Sequence, residues 1–563
     1  MPRVTPATSD DGSPTGTRAP GPAPSRAPGA TTSRDPRAPG APHAPGGHGD
    51  PGGVGDPTGH GGPTGHGGPG AAPAPAPAPA ARPGGPGASG VRPDLLAAAF
   101  VVLLFAAAAV VGTRIEAVHH SLFVSWPPLF ASWEPHAGPG TPAAIAVAVA
   151  VVAYGPGLAA RLGWRALVAA AWAAALAWTF SLALVDGWHR GVARRLTTGN
   201  EYLQSIGAFH DVGAALRDFT HHILLHSPDH WPAHVAGHPP AATLTFVWLD
   251  HLGLGGGAWG AVFVLVSGTS AVAAVLVALR ALTDEATARR AAPFLVLAPM
   301  AVWAGVSADA YFAAVAAWAV ALLALAATRT TRAPVAAGLG SGLLLGLTCY
   351  LSYGLTLMAL PAAAVLLLTR TVRPLPWVLV GAAVVPAAFT LAGFDWWEAY
   401  RLLVTRYDQG AGGIRPYGYW IWANPACTGL ITGLATAAGV RRVLAAAPGA
   451  TGRVLAPFAA VLPPGRRTRR TAPTAPRPAA GARPATGSRA ADHLVVLVLV
   501  ALLAILAADL SGMSKAETER IWQPFALWLL PAAALLPTGS HRRWLAAQAA
   551  LALLVNHLLL TGW

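Results

Sequence analysis

Long uncharged apolar runs are the feature of this sequence that most limits its fold. Residues 95–112 read LLAAAFVVLLFAAAAVVG, and residues 143–160 read AAIAVAVAVVAYGPGLAA. Each run approaches the roughly 20 apolar residues that a helix needs to cross the hydrocarbon core of a bilayer. Only 11% of the 563 residues are charged, against about a quarter in an ordinary soluble domain. The sequence therefore predicts an all-α, polytopic integral membrane protein.

Hydropathy predicts about thirteen membrane-spanning helices. They are expected at 94–113, 142–160, 166–185, 258–280, 291–306, 309–328, 334–350, 354–369, 375–394, 421–440, 494–508, 523–537 and 545–560. A short apolar stretch at 239–253 is not long enough to cross, so we expect a helix there that lies at the membrane interface or re-enters the protein.

The first 92 residues differ in composition from the rest of the chain. Segments such as GGHGDPGGVGDPTGHGGPTGHGGPG and APAPAPAPAA are rich in Pro, Gly or His, and such segments bury too little apolar area to offset chain entropy. Residues 1–92 are therefore predicted to be a disordered cytoplasmic tail, followed by a polytopic domain over 93–563. Within that domain, 186–257 is predicted to be a long extracytoplasmic loop with juxtamembrane helices, and 441–492 a basic, Pro-rich cytoplasmic loop.

The positions of the arginines predict the orientation of the chain. With the tail inside the cell, every predicted inner connection is basic, as the positive-inside rule requires, while most carboxylates past the tail fall on the outer side. We therefore expect a plasma-membrane protein whose working face is extracytoplasmic. The net charge of +14 reflects arginines at span ends and in the tails, so no nucleic-acid partner is expected. The only two cysteines, Cys349 and Cys427, lie in or beside apolar spans, and no disulfide framework is predicted.

The predicted outer loop concentrates rare ionisable groups. It opens beside Asp186, at the end of the third span, and it contains the stretch HSPDHWPAHVAGHPP at 226–240. A carboxylate at the membrane boundary is partly desolvated, which suits it to accept a proton from a hydroxyl; the alternative is that Asp186 only ends the span in water. His238 precedes two prolines that start a helix, although a loop histidine is often simply solvated. The histidine spacing matches no zinc signature, and a divalent metal is neither assigned nor excluded.

These features together resemble the GT-C superfamily of membrane glycosyltransferases, which includes protein O-mannosyltransferases and actinobacterial mannosyl- and arabinofuranosyltransferases. Asp186 matches the position of their loop catalytic acid, and GHPPAATL at 237–244 resembles their HPPL-type element. The resemblance covers the architecture of roughly 180–400. Family members usually carry the acid after the first span and beside a second acid, whereas Asp186 follows the third predicted span and has no acidic neighbour.

The resemblance implies transfer of a sugar from a polyprenyl-phosphate donor to an acceptor hydroxyl on a glycan, a lipid or a protein of the cell envelope. In the implied inverting mechanism, Asp186 deprotonates the acceptor and His238 orients it, while arginines stabilise the departing polyprenyl phosphate. The candidate substrate-binding residues are Asp309, Arg401, Arg406, Arg415, Tyr417, Lys515, Glu519 and Arg520. Their alternatives are that the aromatic residues form a membrane-interface belt and that the charged residues pair with one another.

Two other classes stay open for the sequence. One is a membrane transporter or lipid flippase, which would place ionisable groups at mid-membrane and often shows inverted repeats. The other is a non-catalytic GT-C-like membrane scaffold. The enzyme hypothesis expects Asp186, His238 and at least one arginine from 401–415 or Arg520 to converge on one outer cavity.

Overall fold

A computed structural model of the protein describes residues 91–459 and 486–562, which lie in one unit spanning Pro83–Trp563. Residues 1–90 of the predicted tail and the centre of the predicted 441–492 loop therefore fall outside the described residues, while residues 91–92 belong to a helix. The described residues are mostly helical, as the apolar runs predict.

The first six helices and one short strand build the N-terminal part of the described chain. They are α1 Val91–His119, β1 Ala131–Trp133, α2 Thr141–Arg161, α3 Trp164–Ala183, α4 Val212–Asp218, α5 Ala233–Gly237 and α6 Ala241–His251. Between α3 and α6 the chain also forms short 3-10 segments and one π turn, at Leu184–Asp186, His189–Ala193, Arg195–Thr197, Tyr202–Phe209 and Phe219–His222. The short apolar helix expected at 239–253 is α6.

Eight further helices complete the middle of the chain. They are α7 Gly256–Thr269, α8 Ala271–Leu282, α9 Glu285–Val296, α10 Ala301–Ala304, α11 Ala308–Thr328, α12 Pro334–Leu351, α13 Ala359–Thr369 and α14 Leu375–Leu391, with a 3-10 segment at Tyr353–Met358.

The remaining elements run to the end of the described chain. They are α15 Trp396–Gln409, α16 Ala411–Ile414, α17 Tyr417–Thr432, α18 Leu434–Ala459, α19 Thr486–Leu510, α20 Thr518–Ile521, α21 Gln523–Ala526, α22 His541–Leu558 and β2 Leu559–Thr561, with 3-10 segments at Leu530–Leu535 and Thr538–Ser540. Helices α18 and α19 thus occupy both ends of the predicted 441–492 loop.

Helix α11 lies at the centre of the bundle and α1 and α2 at its periphery. Of the apolar window of α11, 72% is buried, against 17% for α1 and for α2. Helix α11 packs on α7, α8, α12 and α13. Helices α12 and α14 pack closely because glycines of each helix lie against the backbone of the other: a Cβ on Gly342 would lie 2.0 Å from the carbonyl oxygen of Val378, and one on Gly381 would lie 2.2 Å from that of Leu339. Small residues allow the same close approach at helix interfaces in membranes.

By length and composition, seven of the described helices can cross a membrane, or up to nine if each of two bent helix pairs is one span. The pair α14–α15 bends by 78° at Gly393, and the pair α17–α18 bends by 113° at Gly433. Both glycines have a positive φ, a conformation that ends helices and that glycine adopts without strain. The span predicted at 421–440 is therefore sharply bent rather than straight.

Four of the thirteen predicted spans are not among these seven to nine. The region 291–306 is interrupted between α9 and α10, and the regions 354–369 and 523–537 form shorter apolar helices. The fourth, 545–560, falls in α22, which opens with the polar residues His541, Arg542 and Arg543. These four spans stay predictions.

Strands β1 and β2 join the two ends of the described chain. They pair antiparallel, with Ala131 opposite Thr561 and Trp133 opposite Leu559. This two-stranded ribbon lies between Asp186 and the segment around Arg520, because Arg195 donates to the carbonyl oxygen of Thr561 at 2.9 Å and the backbone N–H of Phe130 donates to Glu519 at 3.1 Å.

Candidate functional site

Asp186 forms one group with His136 and Arg195, which we call the Asp186 triad. Helix α3 ends at Ala183, and the following 3-10 turn carries Asp186. Its Oδ1 lies 2.8 Å from Nε2 of His136, and its Oδ2 accepts a hydrogen bond of 2.5 Å from Nη2 of Arg195. The carboxylate side chain is only 11% exposed. Asp186 is therefore held by two side chains and does not simply end the span in open water.

The contacts of His136 place a proton between its ring and Asp186. Nδ1 of His136 lies 2.6 Å from the carbonyl oxygen of Glu134. Because a carbonyl oxygen only accepts, Nδ1 carries the proton of that bond. The contact between Nε2 and Asp186 then needs one further proton, on the ring or on the carboxyl group. A carboxyl–imidazole pair that shares a proton can take up or release one during a reaction.

A second group, which we call the Arg520 network, is centred on a buried arginine. Arg520 donates to the carboxylates of Asp309 and Glu517, the latter at 2.8 Å. Its Nη2 also lies 3.0 Å from Nε2 of His234, whose Nδ1 is 3.1 Å from Glu201. Since a guanidinium only donates, Nε2 of His234 accepts, and its Nδ1–H faces Glu201. Five ionisable side chains from four distant segments thus meet at one place.

The local backbone explains how two members of the network are positioned. Asp309 lies in the first turn of α11, after the N-cap residue Ser307, whose hydroxyl donates to the Asp309 carboxylate at 3.0 Å. A carboxylate is favoured there because the N-terminus of a helix carries partial positive charge. The second member is Glu517, which directly precedes α20. Ala516 and Glu517 have φ of 77° and 61°. Two consecutive non-glycine residues in this region store strain, which often marks functional segments.

The electrostatics of the Arg520 network keep its ions charged. Burial opposes the charge on Arg520, but Asp309, Glu517 and Glu201 outweigh it and raise the pKa of Arg520. Burial likewise opposes ionisation of Glu517, yet Arg520 holds its pKa below the usual value. Three carboxylates surround this arginine, so the network has little capacity for a further anion. It is better suited to hydroxyl groups, which donate to carboxylates and accept from guanidinium groups.

His238 lies at the edge of this network. Its Nδ1 donates to the carbonyl oxygen of His234 at 2.8 Å, and its ring contacts those of Tyr202 and Phe312 at centroid distances of 5.7 and 5.8 Å. Burial lowers the pKa of His238 to about 4. The ring is therefore neutral at neutral pH, and Nε2 is an acceptor.

Glu519, which precedes Arg520 in the chain, is a buried carboxyl group. One oxygen accepts the Phe130 hydrogen bond, and the other has no hydrogen-bond partner among the described residues. Burial raises the pKa of Glu519 to about 7. Unlike Glu517, this side chain is close to half-protonated at neutral pH.

Two other predicted substrate-binding residues lie close to Glu517. Arg415 is close in space, and Lys515 stands two residues earlier in the chain. Arg415 is buried, lies 4.0 Å from the Glu517 carboxylate and donates to the carbonyl oxygens of Leu122 and Lys515. Lys515 donates from Nζ to the carbonyl oxygen of Gly412 at 2.8 Å. Both cations are thus tied largely to backbone oxygens.

Three further predicted residues lie outside the Arg520 network. Tyr417 is exposed and reaches the carbonyl oxygen of Leu510 at 3.4 Å. Arg401 is exposed on α15. Arg406, on the same helix, donates a long bond of 3.4 Å to the carbonyl oxygen of Trp231, and its Nη1 is buried without a hydrogen-bond partner among the described residues. Buried polar atoms are rarely left unpaired, which makes Arg406 the better anion-binding candidate of the two arginines.

An apolar groove, here called the Trp groove, runs along the bundle near His238. It has a volume of about 570 Å³ and is lined by residues that include Trp172, Trp259, Phe263 and Trp318. From Phe263 a chain of ring contacts leads inward to Tyr311 at 5.0 Å, then to Phe312 at 5.7 Å. Phe312 contacts His238, so the groove wall connects with the edge of the Arg520 network.

No group of three or more His, Cys, Asp or Glu residues suited to a metal ion occurs within 91–459 and 486–562. The histidines of the wider segment 221–240 fall into separate groups. His234 and His238 join the network, while His221 and His222 pair with Asp218 at 2.6 and 2.9 Å.

The structure brings together Asp309, Arg520, Glu519, Arg415 and Lys515 from the predicted set, with His238 at their edge. It places Asp186 in a separate triad. The described contacts connect the two groups through the β1–β2 ribbon and through the turn between Arg195 and Glu201, where Glu201 donates its N–H to the carbonyl oxygen of Thr198 at 3.0 Å. Sequence reasoning missed His136, Arg195 and Glu201 as partners. No local pattern marked them: Arg195 stands beside Arg194 in a loop that holds many ionisable residues, and His136 lies in a different loop.

Comparisons with protein-family models, with curated protein sequences and with solved structures returned no match for this chain. Its function therefore has to be inferred from the chemistry of the site.

Proposed function

We propose that this chain is a membrane glycosyltransferase with a GT-C-like fold, which moves a sugar from a polyprenyl-phosphate donor to an acceptor hydroxyl on the extracytoplasmic face of the plasma membrane. The observation that carries the proposal is the contact path between the apolar Trp groove and the buried Arg520 network. A lipid-linked sugar needs both environments side by side: an apolar surface for its chain and a polar site for its hydroxyl groups.

The Arg520 network supplies the polar site. Its carboxylates accept hydrogen bonds from sugar hydroxyls, and its arginine donates to sugar oxygens. Its excess of carboxylates over cations also suits the positive charge that develops at the anomeric centre of a glycosyl transition state. The neutral His238, at the edge of the network beside Tyr202 and Phe312, orients the sugar.

The chemical step needs a base and a site for the leaving phosphate. In an inverting transfer, the acceptor oxygen bonds to the anomeric carbon as the bond to the phosphate oxygen breaks, and the hydroxyl proton passes to a base. Asp186 with His136 is the candidate base, with the acceptor hydroxyl bound at the Asp186 triad and the donor sugar at the Arg520 network, which the turn from Arg195 to Glu201 joins. Arg406, with a buried and unpaired Nη1, is the better candidate for the phosphate because Arg520 is already committed to two carboxylates.

Two alternatives from the sequence remain to be separated from this proposal. In a transporter or flippase, the same groove would carry an intact lipid across the membrane. In a non-catalytic scaffold, the paired charges of the Arg520 network would serve stability alone.

The test uses vesicles that contain the purified full chain and a polyprenyl-phosphate sugar labelled in the sugar. Transfer predicts that label moves to an added acceptor while unlabelled polyprenyl phosphate accumulates. Movement of intact labelled lipid between leaflets would identify a transporter instead. Neither outcome, across a panel of sugars and acceptors, would favour the scaffold and overturn the enzyme proposal.

A further inference from the structure

A second groove, distant from Asp186, lies along the far end of α2. The N-terminus of α2 is near Asp186, since Gly140 donates its N–H to the carbonyl oxygen of Leu184 at 3.0 Å. The groove instead follows the C-terminal half of α2 and ends at Arg161. It has a volume of about 490 Å³, and we call it the Arg161 groove.

The walls of the Arg161 groove are apolar and its rim is cationic. Small residues of α2 and α3, among them Gly157, Ala170 and Ala174, leave the space open. A Cβ on Gly157 would meet no atom within 4 Å. Among the described residues, the charged ones that line the groove are Arg161, at the end of α2, and Arg542, near the start of α22.

Both arginines are available to a ligand. Arg161 and Arg542 are exposed, and no carboxylate of the described residues pairs with either. Glu285 is already paired with Arg280 at 2.9 Å and with Arg289 at 2.6 Å. Arg289 in turn donates to the carbonyl oxygens of Ala159 and Leu162. These hydrogen bonds satisfy carbonyl groups at the C-terminal end of α2. The two cations at the groove are thus left for a partner.

We propose that the Arg161 groove binds an anionic glycerophospholipid, with an acyl chain along α2 and α3 and the headgroup phosphate between Arg161 and Arg542. Charge complementarity decides the occupant. A purely apolar ligand would leave both guanidinium groups without an anionic partner, whereas a phosphate group accepts hydrogen bonds from both. Arginines at a membrane surface attract anionic lipids for the same reason. The site depends on α2 crossing the bilayer and does not depend on the proposed sugar transfer.

Native mass spectrometry of the full chain in mild detergent tests the site, with phosphatidylglycerol as the probe and phosphatidylcholine as its zwitterionic competitor. Wild type is expected to retain phosphatidylglycerol preferentially. The variant Arg161→Gln with Arg542→Gln should lose roughly tenfold or more in apparent affinity. The matched control is Arg165→Gln with Arg543→Gln, which removes the same charge from exposed neighbours that do not line the groove, and it should bind as wild type does.

A second variant removes the space and keeps the charges. The leucine side chain of Gly157→Leu would occupy part of the groove. The amount of phosphatidylglycerol that stays bound should therefore fall, although Arg161 and Arg542 remain. Circular dichroism and gel filtration confirm that each variant is folded. Equal loss in the control variant, equal retention of phosphatidylcholine by wild type, or unchanged binding in Gly157→Leu would each overturn the proposal.

Discussion

Arg520 and Asp309 form a buried ion pair across 211 residues of sequence, with Asp309 in the first turn of α11 and Arg520 in α20. Each side chain is only 6% exposed. This pair fixes the short segment around α20 against the central helix of the bundle, and it is the contact around which the other charges of the Arg520 network are arranged.

Removal of Arg520 should destabilise the protein strongly. In Arg520→Gln, Asp309 and Glu517 stay buried without their shared cation, and breaking a buried pair in this way costs about 3–5 kcal/mol. Thermal unfolding in detergent should therefore show a large fall in Tm. The matched control is Arg401→Gln, which removes an exposed arginine and should change stability by about 0.5 kcal/mol or less. Equal Tm values for the two variants would show that the pair does not hold α20.

Glu519 should make stability depend on pH. Its pKa is raised from 4.5 to about 7 in the folded protein, so the folded chain binds a proton that the unfolded chain releases between these values. The contribution of the neutral carboxyl group is complete below pH 4.5 and is lost as the pH rises through about 7. The slope reaches at most about 1.4 kcal/mol per pH unit. Glu519→Gln should flatten the Tm profile in this window and be the more stable protein at pH 8. A profile that keeps its slope in this variant would exclude Glu519 as its source.

Arg406 should contribute to donor binding through its unpaired Nη1. A hydrogen bond from a charged group contributes about 1.5–3 kcal/mol, so Arg406→Gln should raise the KM for a polyprenyl-phosphate sugar by about tenfold to hundredfold. Arg401→Gln on the same helix provides the control and should leave the KM near the wild-type value. Loss of affinity in both variants alike would point to a general effect of charge on α15 rather than to a phosphate contact.

The class of fold followed from the sequence because apolar periodicity and charge segregation are local properties. The runs at 95–112 and 143–160 lie in α1 and α2, and the short apolar stretch before Gly255 became α6. The bends were less visible. Gly433 turns the chain by 113°, yet a glycine within an apolar run does not reveal its φ.

The candidate site was predictable in part, for a related reason. Asp309 and Arg520 were singled out as ionisable residues at the predicted outer face, and the structure pairs them. The partners of Asp186 were not predicted. His136 comes from a different loop, and Arg195 is positioned by an irregular turn that has no recognisable sequence pattern. The β1–β2 ribbon has contacts with both groups, but its strands are three residues each and lie more than 400 positions apart, and no local pattern predicts such a pairing.

The most direct test of the account is sugar transfer by Asp186→Asn in membranes. The isosteric amide keeps the shape of the side chain and removes its ability to hold the proton shared with His136. We predict that this variant inserts into membranes in wild-type amounts, binds the labelled polyprenyl-phosphate donor, and transfers its sugar at a rate reduced by at least about a hundredfold, the usual lower limit for loss of a general base. Transfer at the wild-type rate by Asp186→Asn would contradict the account.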